Sequence, residues 1–141
     1  MKQYDLDRFL KGQARNYDAA LREIRSGCKR SHWMWYVFPQ IQGLGYSSTA
    51  QYYAIRDLDE AKAYLQHPVL RERLLEISNA LLGLDSHNAS EVFGWPDDMK
   101  LRSSMTLFAE AEPECEVFQK VVDQYFHGEK DGNTLSILAS L

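Results

Sequence analysis

The chain has 141 residues, which suits one domain; at that length roughly 68% of the unfolded surface can be buried without a disulfide or structural metal. Hydrophobic residues make up 45% and charged residues 26%, as in a soluble globular protein, and no run approaches the ~20 apolar residues of a membrane span. A net charge of −4 and a pI of about 5.5 exclude a generic nucleic-acid binder, whose affinity rests on basic residues meeting phosphates.

The elements read almost entirely as helix. "YDLDRFLKGQ" predicts a short helical turn with Asp5 as its cap, and its acids and lack of a long apolar run predict no signal peptide. "NYDAALREIRSG" follows as a helix with Tyr17, Ala20, Leu21 and Ile24 on one stripe and Gly27 past its end. "HWMWYVF" is the one candidate strand; its neighbours favour a two-turn helix capped by Ser31 and ended by Pro39. Residues 39–48 form the longest irregular piece, and Ser47, Ser48 or Thr49 can cap the helix after it.

Asp57 and Glu60 stand at capping-box spacing and open a helix that stops before Pro68. Pro68 suits the first position of the next helix, whose Leu70, Leu74, Ile77 and Leu81 share a face up to Gly83. A short helix ends at Gly94. "WPDDMKLRSSMTLFAEA" is then a helix capped by Asp97, with Leu101, Met105 and Phe108 inward. A broad stripe from Val117 to Phe126 lies between Pro113 and Gly128, and a last turn is capped by Asn133 or Thr134. The expectation is all-α: one compact domain, residues 1–141, of about seven helices in an irregular, orthogonal bundle.

Three stretches mix large apolar and polar residues more than core packing requires; the third is the loop of Gly43 and Gly45 with "YSSTAQYY", where the helix N-terminus at Ser47, Ser48 and Thr49 is a candidate anion site beside the plain reading of a helix cap. In residues 29–40, Met34, Val37 and Phe38 are expected in the core, while Arg30, Ser31, His32, Trp33 or Trp35, and Gln40 line a cleft. Aromatic faces beside forked donors suit planar anionic ligands. In "DDMKLRSSMTLF", Lys100, Arg102 and Ser104 are candidate phosphate or carboxylate ligands, with Asp97 or Asp98 as general base. The plain alternatives stay open: an aromatic core anchor in the first case, a surface Asp98–Arg102 pair and small packing serines in the second.

The loop with Gly43 and Gly45 lacks the spacing and lysine of a P-loop. His32, His67, His87 and His127 show no metal-ligand spacing, so no metal or cofactor is expected. Cys28 and Cys115 belong to no motif, which predicts free thiols and a reducing, cytoplasmic setting.

The stretches "KRSHWMWYVFPQIQGLGYSS", "YAIRDLDEAKAYLQHPVL", "FGWPDDMKLRSSMTLF" and "TLSIL" resemble a bacterial family of unknown function sometimes mislabelled calpastatin. That resemblance implies a small all-helical fold with no established activity. "SSTAQYYAIRDLDEA" and "MKLRSSMTLF" are also similar to helical domains that act on ADP-ribose linked to nucleobases.

The resulting expectation is a locally positive pocket that binds or hydrolyses a nucleotide or ADP-ribose-type ligand. Trp33 or Trp35 stacks the base, Arg30, Lys100 and Arg102 hold phosphates, and His32 and Gln40 orient the ligand. The rival is a non-catalytic protein-interaction module using the aromatic surface of residues 32–38, with a protein partner in place of a small anionic ligand.

Overall fold

The structure is a computed structural model and describes residues 4–141. Among the described residues it holds nine helices in one domain: α1 (Asp7–Arg25), α2 (Met34–Val37), α3 (Ser48–Tyr53), α4 (Leu58–Gln66), α5 (Pro68–Leu82), α6 (Ala89–Phe93), α7 (Asp97–Ala111), α8 (Glu116–Phe126) and α9 (Gly132–Ser140). The only β-type pairing among them is one parallel bridge between Ile41 and Ile55. No helix among the described residues is long and apolar enough to cross a membrane. The all-α expectation holds, with nine helices instead of about seven.

The apolar stripes fall inward as their spacing requires. Tyr17, Ala20, Leu21 and Ile24 of α1 are buried, as are Leu70, Leu74, Ile77 and Leu81 of α5. The α7 helix is the axis of the domain: ten of its fifteen residues are buried, and it packs against α4, α6, α8 and α9. Polar ties join the periphery to this core. Arg8 of α1 pairs with buried Glu60 of α4 at 3.0 Å and donates to the Tyr52 and Ala54 carbonyls at 2.9 and 2.8 Å.

Several boundaries differ from expectation. The first two predicted helices are one, because Gly12 suits a contact and does not interrupt the helix. A Cβ there would lie 2.7 Å from Tyr36 Cγ. Asp5 does not cap α1; Leu6 occupies that position without a side-chain bond. Ser31 does not cap α2, which is a single turn entered from Trp33. Its hydroxyl and N–H go instead to Glu23 of α1.

Asp97 is the first residue of α7, preceded by Pro96 at the cap position. The α9 cap is Asp131, whose carboxylate accepts from the Thr134 N–H at 3.0 Å; Asn133 and Thr134 lie within the helix. The Asp57 and Ser47 caps are as expected, accepting from the N–H groups of Glu60 and Ala50.

Candidate functional site

A cleft opens where α2, the loop after it, α3, α7 and α9 meet. Its larger chamber, about 570 Å³, is lined by Trp35, Gln40, residues 41–46, the α3 residues Ala50, Gln51 and Tyr53, and Ile137. Its smaller chamber, about 240 Å³, is lined by Trp35 and Gln40 together with Lys100 and Ser103 of α7, and Asp131 and Asn133 at the start of α9. Trp35, Gln40, Leu44 and Gly45 border both chambers. Of the stretches 29–40 and 97–104, Trp35 and Gln40 meet Met99, Lys100 and Ser103 at the smaller chamber.

The start of the loop is held by two backbone bonds. Gln42 N–H donates to the Ile55 carbonyl and Ile55 N–H to the Gln40 carbonyl, both at 2.8 Å. Gly45 lets it close onto α3 and Trp35: a Cβ there would lie 2.7 Å from Ala50 Cβ and 3.3 Å from Trp35 Cη2. Chain and side chain thus converge on one wall, which Gln40 completes. Its side chain is buried, 7% exposed, and its Nε2 has no hydrogen-bond partner among the described residues. Buried amide groups are normally satisfied, and an orphan costs about 1–3 kcal/mol.

Charge enters from α7. Lys100 Nζ lies 4.2 Å from the Trp35 ring centroid and 3.0 Å from Asp97. Asp97 also pairs with Lys29 at 2.8 Å. Burial works against its ionisation, but hydrogen bonds from the Lys29 and Lys100 ammonium groups outweigh it and hold the carboxyl below its ordinary value. An anion so stabilised is a weak base. Asp131 is 8% exposed; its Oδ2 accepts from Ser103 Oγ at 3.1 Å and from Thr134 Oγ1 at 2.6 Å. Its Oδ1 makes no hydrogen bond among the described residues, although the residue lines the smaller chamber.

Of the residues singled out from sequence, Trp35, Gln40 and Lys100 line the cleft, and Asp97 stands behind Lys100. The others lie elsewhere. Arg30, Ser31 and His32 are exposed beside α1, where Glu23 gathers the N–H groups of Arg30 and Ser31 at 2.7 and 2.9 Å. Trp33 is 1% exposed, within the core, and donates Nε1–H to the same Glu23 at 2.9 Å. Burial pushes the Glu23 carboxyl up, but the bonds from Ser31 Oγ, the Arg30 N–H and Trp33 bring it down to about 2.

Arg102 donates to the Glu129 and Lys130 carbonyls at 2.7 and 3.2 Å, fastening the turn between α8 and α9. Ser104 is wholly buried, its Oγ without a partner among the described residues. Asp98 is buried and accepts from Ser90 Oγ at 2.7 Å and the Met99 N–H at 2.9 Å. The expected locally positive cleft is therefore corrected. Of the three candidate cations only Lys100 reaches it, already paired, and Asp131 faces the same chamber.

The aromatic surface of residues 32–38 is likewise absent as a patch, because Trp33, Met34, Val37 and Phe38 are buried. Asp131 and Asn133 went unrecognised in the sequence. The available signal was the spacing of Asp131 to Thr134, a cap three residues ahead of a hydroxyl. Among the described residues no group of three or more His, Cys, Asp or Glu could hold a metal ion.

Fold and cleft together define a small all-helical domain with a two-chambered, polar and aromatic pocket. The chain belongs to the family described as "Protein of unknown function (DUF1810)", whose model matches residues 3–138. It is similar to a solved structure, the conserved hypothetical protein Rv1873 from Mycobacterium tuberculosis. The two share 46% identity over 96% of this chain and 97% of that one, with a TM-score of 0.94. No curated protein matches the chain.

Proposed function

We propose that the cleft binds a nucleotide or ADP-ribose-type ligand, with its planar heterocycle against Trp35 and its hydrogen-bonding edge toward Gln40. The observation that carries this reading is the buried Gln40 side chain at the wall common to both chambers, whose Nε2 has no hydrogen-bond partner among the described residues. A fold retains such a group at a cost unless something pairs with it. Trp35 supplies the adjoining face and Lys100 a hydrogen-bond donor for a polar group of the ligand. Joined, the chambers fall within the roughly 300–1,000 Å³ typical of small-molecule sites.

The reading is one of binding. Asp97 and Asp98, the carboxylates expected to act as general base, are both engaged within the fold. Free thiols at Cys28, which is exposed, and at Cys115 suit a reducing compartment, and we read the protein as cytoplasmic.

Thermal-shift and calorimetric titrations with nucleotides, ADP-ribose and sugar phosphates test the reading on wild type, Trp35→Ala and Arg30→Ala. At least one compound should bind. Trp35→Ala should weaken it tenfold or more, since base stacking on an aromatic contributes about 1–3 kcal/mol. Arg30→Ala, exposed and off the cleft, should leave the affinity unchanged. Binding by none of the compounds, or equal losses in both variants, overturns the reading.

A further inference from the structure

The two chambers differ in the chemistry they present. The larger has no charged side chain in its lining. The smaller carries one cation, Lys100, and one carboxylate, Asp131, with the amide of Asn133 beside them. Asp131 is more than nine-tenths buried, and its cap bonds to Thr134 and its bond from Ser103 all fall on Oδ2. Oδ1 is left over. Helix capping thus accounts for one carboxylate oxygen and leaves the other without a hydrogen bond among the described residues, on a residue that lines the chamber. Lys100 has three donors, of which Asp97 takes one.

A phosphate entering this chamber meets the Asp131 carboxylate, and an ammonium group meets Lys100. The complement of a fixed acceptor beside a fixed donor is a neutral group that donates and accepts at once. A hydroxyl does this, and a vicinal pair of hydroxyls does it twice. Carboxylates serve ribose hydroxyls in the same way in dinucleotide sites.

Resting on the binding reading above, we propose that the smaller chamber is a ribose subsite. Asp131 Oδ1 accepts from a sugar hydroxyl, Lys100 donates to its neighbour, and the uncharged heterocycle occupies the larger chamber. The ligand class is then a ribonucleoside unit presented sugar-first to α7 and α9. Any phosphate it carries stays at the solvent mouth and adds little to affinity.

The experiment is calorimetric titration of adenosine, guanosine, cytidine and uridine, their 2′-deoxy counterparts and their 5′-monophosphates. The proteins are wild type and Asp131→Asn. Asparagine keeps the side-chain oxygen that caps α9, and the variant's thermal transition shows whether it is folded. For the ribonucleoside that binds, wild type should lose at least tenfold with the 2′-deoxy form. Asp131→Asn should lower the ribonucleoside to the level of the deoxynucleoside and leave the latter unchanged. The 5′-monophosphate should bind within a few-fold of the nucleoside.

Equal affinity for ribo and deoxy forms in wild type overturns the ribose assignment, as does an undiminished preference in Asp131→Asn. Tenfold tighter binding of the monophosphate does so too. In those outcomes a nucleoside still binds, so the reading of the cleft survives. Binding by no nucleoside or monophosphate at all removes that reading and the ribose subsite with it.

Discussion

Gln40→Met separates the two roles of the cleft wall. Methionine has the same unbranched length as glutamine but no group that must be hydrogen-bonded. The bridge to α3 is kept, because Ile55 donates to the Gln40 backbone carbonyl and not to its side chain. The substitution removes one buried, unpartnered amide nitrogen, whose burial costs about 1–3 kcal/mol. Gln40→Met should therefore stabilise the ligand-free protein by about 1–2 kcal/mol. For a domain of this size that raises Tm by roughly 2–8 °C.

The same change should weaken the ligand at least tenfold, because a hydrogen bond worth about 1.4 kcal/mol or more is lost. Urea denaturation with an unchanged slope measures the first effect, and calorimetry the second. A stability loss of about 1 kcal/mol or more at unchanged slope would show that the carboxamide is satisfied in solution. The main reason for placing a ligand there would then be gone.

Gly45→Ala forces a Cβ against Ala50 and Trp35; it should cost about 1–3 kcal/mol in denaturant unfolding and weaken ligand binding, and a neutral result would show that the loop does not need this close approach. Glu60→Ala leaves the Arg8 guanidinium buried without its carboxylate and should cost about 3–5 kcal/mol; a loss under about 1 kcal/mol would remove this pair as a main tie between α1 and α4. Glu23 titrates lower in the fold, at about 2, than its ordinary value near 4.5. Its contribution is therefore complete above about pH 4.5 and declines as pH falls toward 2. Glu23→Gln should flatten the pH dependence of Tm in that window, and an unchanged slope would count against the Glu23 network.

Helical periodicity made most of the fold legible, with proline and glycine as punctuation. Leu70, Leu74, Ile77 and Leu81 declare a buried face at any reading, and Asp57 caps α4 because its spacing to Glu60 is local information. The reciprocal half of that box was not legible: Glu60 turns to the Arg56 N–H and to Arg8, a residue 52 positions away. Trp33 and Trp35 could not be told apart for a similar reason. Their division is decided by Glu23, on a different helix, which takes the Trp33 indole into the core.

The cations of α7 were separable in principle. Lys100 and Arg102 are two positions apart, about 200° around a helix, so they do not line one cleft together. Asp131 was hidden because a cap residue looks the same in sequence whether or not it also lines a cavity.

The position of α9 gives the cleft a stability of its own. Nine residues make a helix too short to persist unaided in water, so α9 exists by docking on α7. Two bonds fasten its start: Asp131 N–H to Thr106 Oγ1 at 2.9 Å and Ser103 Oγ to Asp131 at 3.1 Å. The same segment supplies Asp131 and Asn133 to one chamber and Ile137 to the other. Undocking of α9 would therefore take Asp131 and Asn133 from the smaller chamber and Ile137 from the larger, while α4, α5, α7 and α8 stay packed together. The smaller chamber should therefore open by this local undocking more often than by global unfolding. A ligand at a hundredfold excess over its Kd adds about 2.7 kcal/mol to any opening that destroys the site, so amide exchange should slow about a hundredfold along α9, and in the core helices only at amides that exchange through openings which also abolish binding.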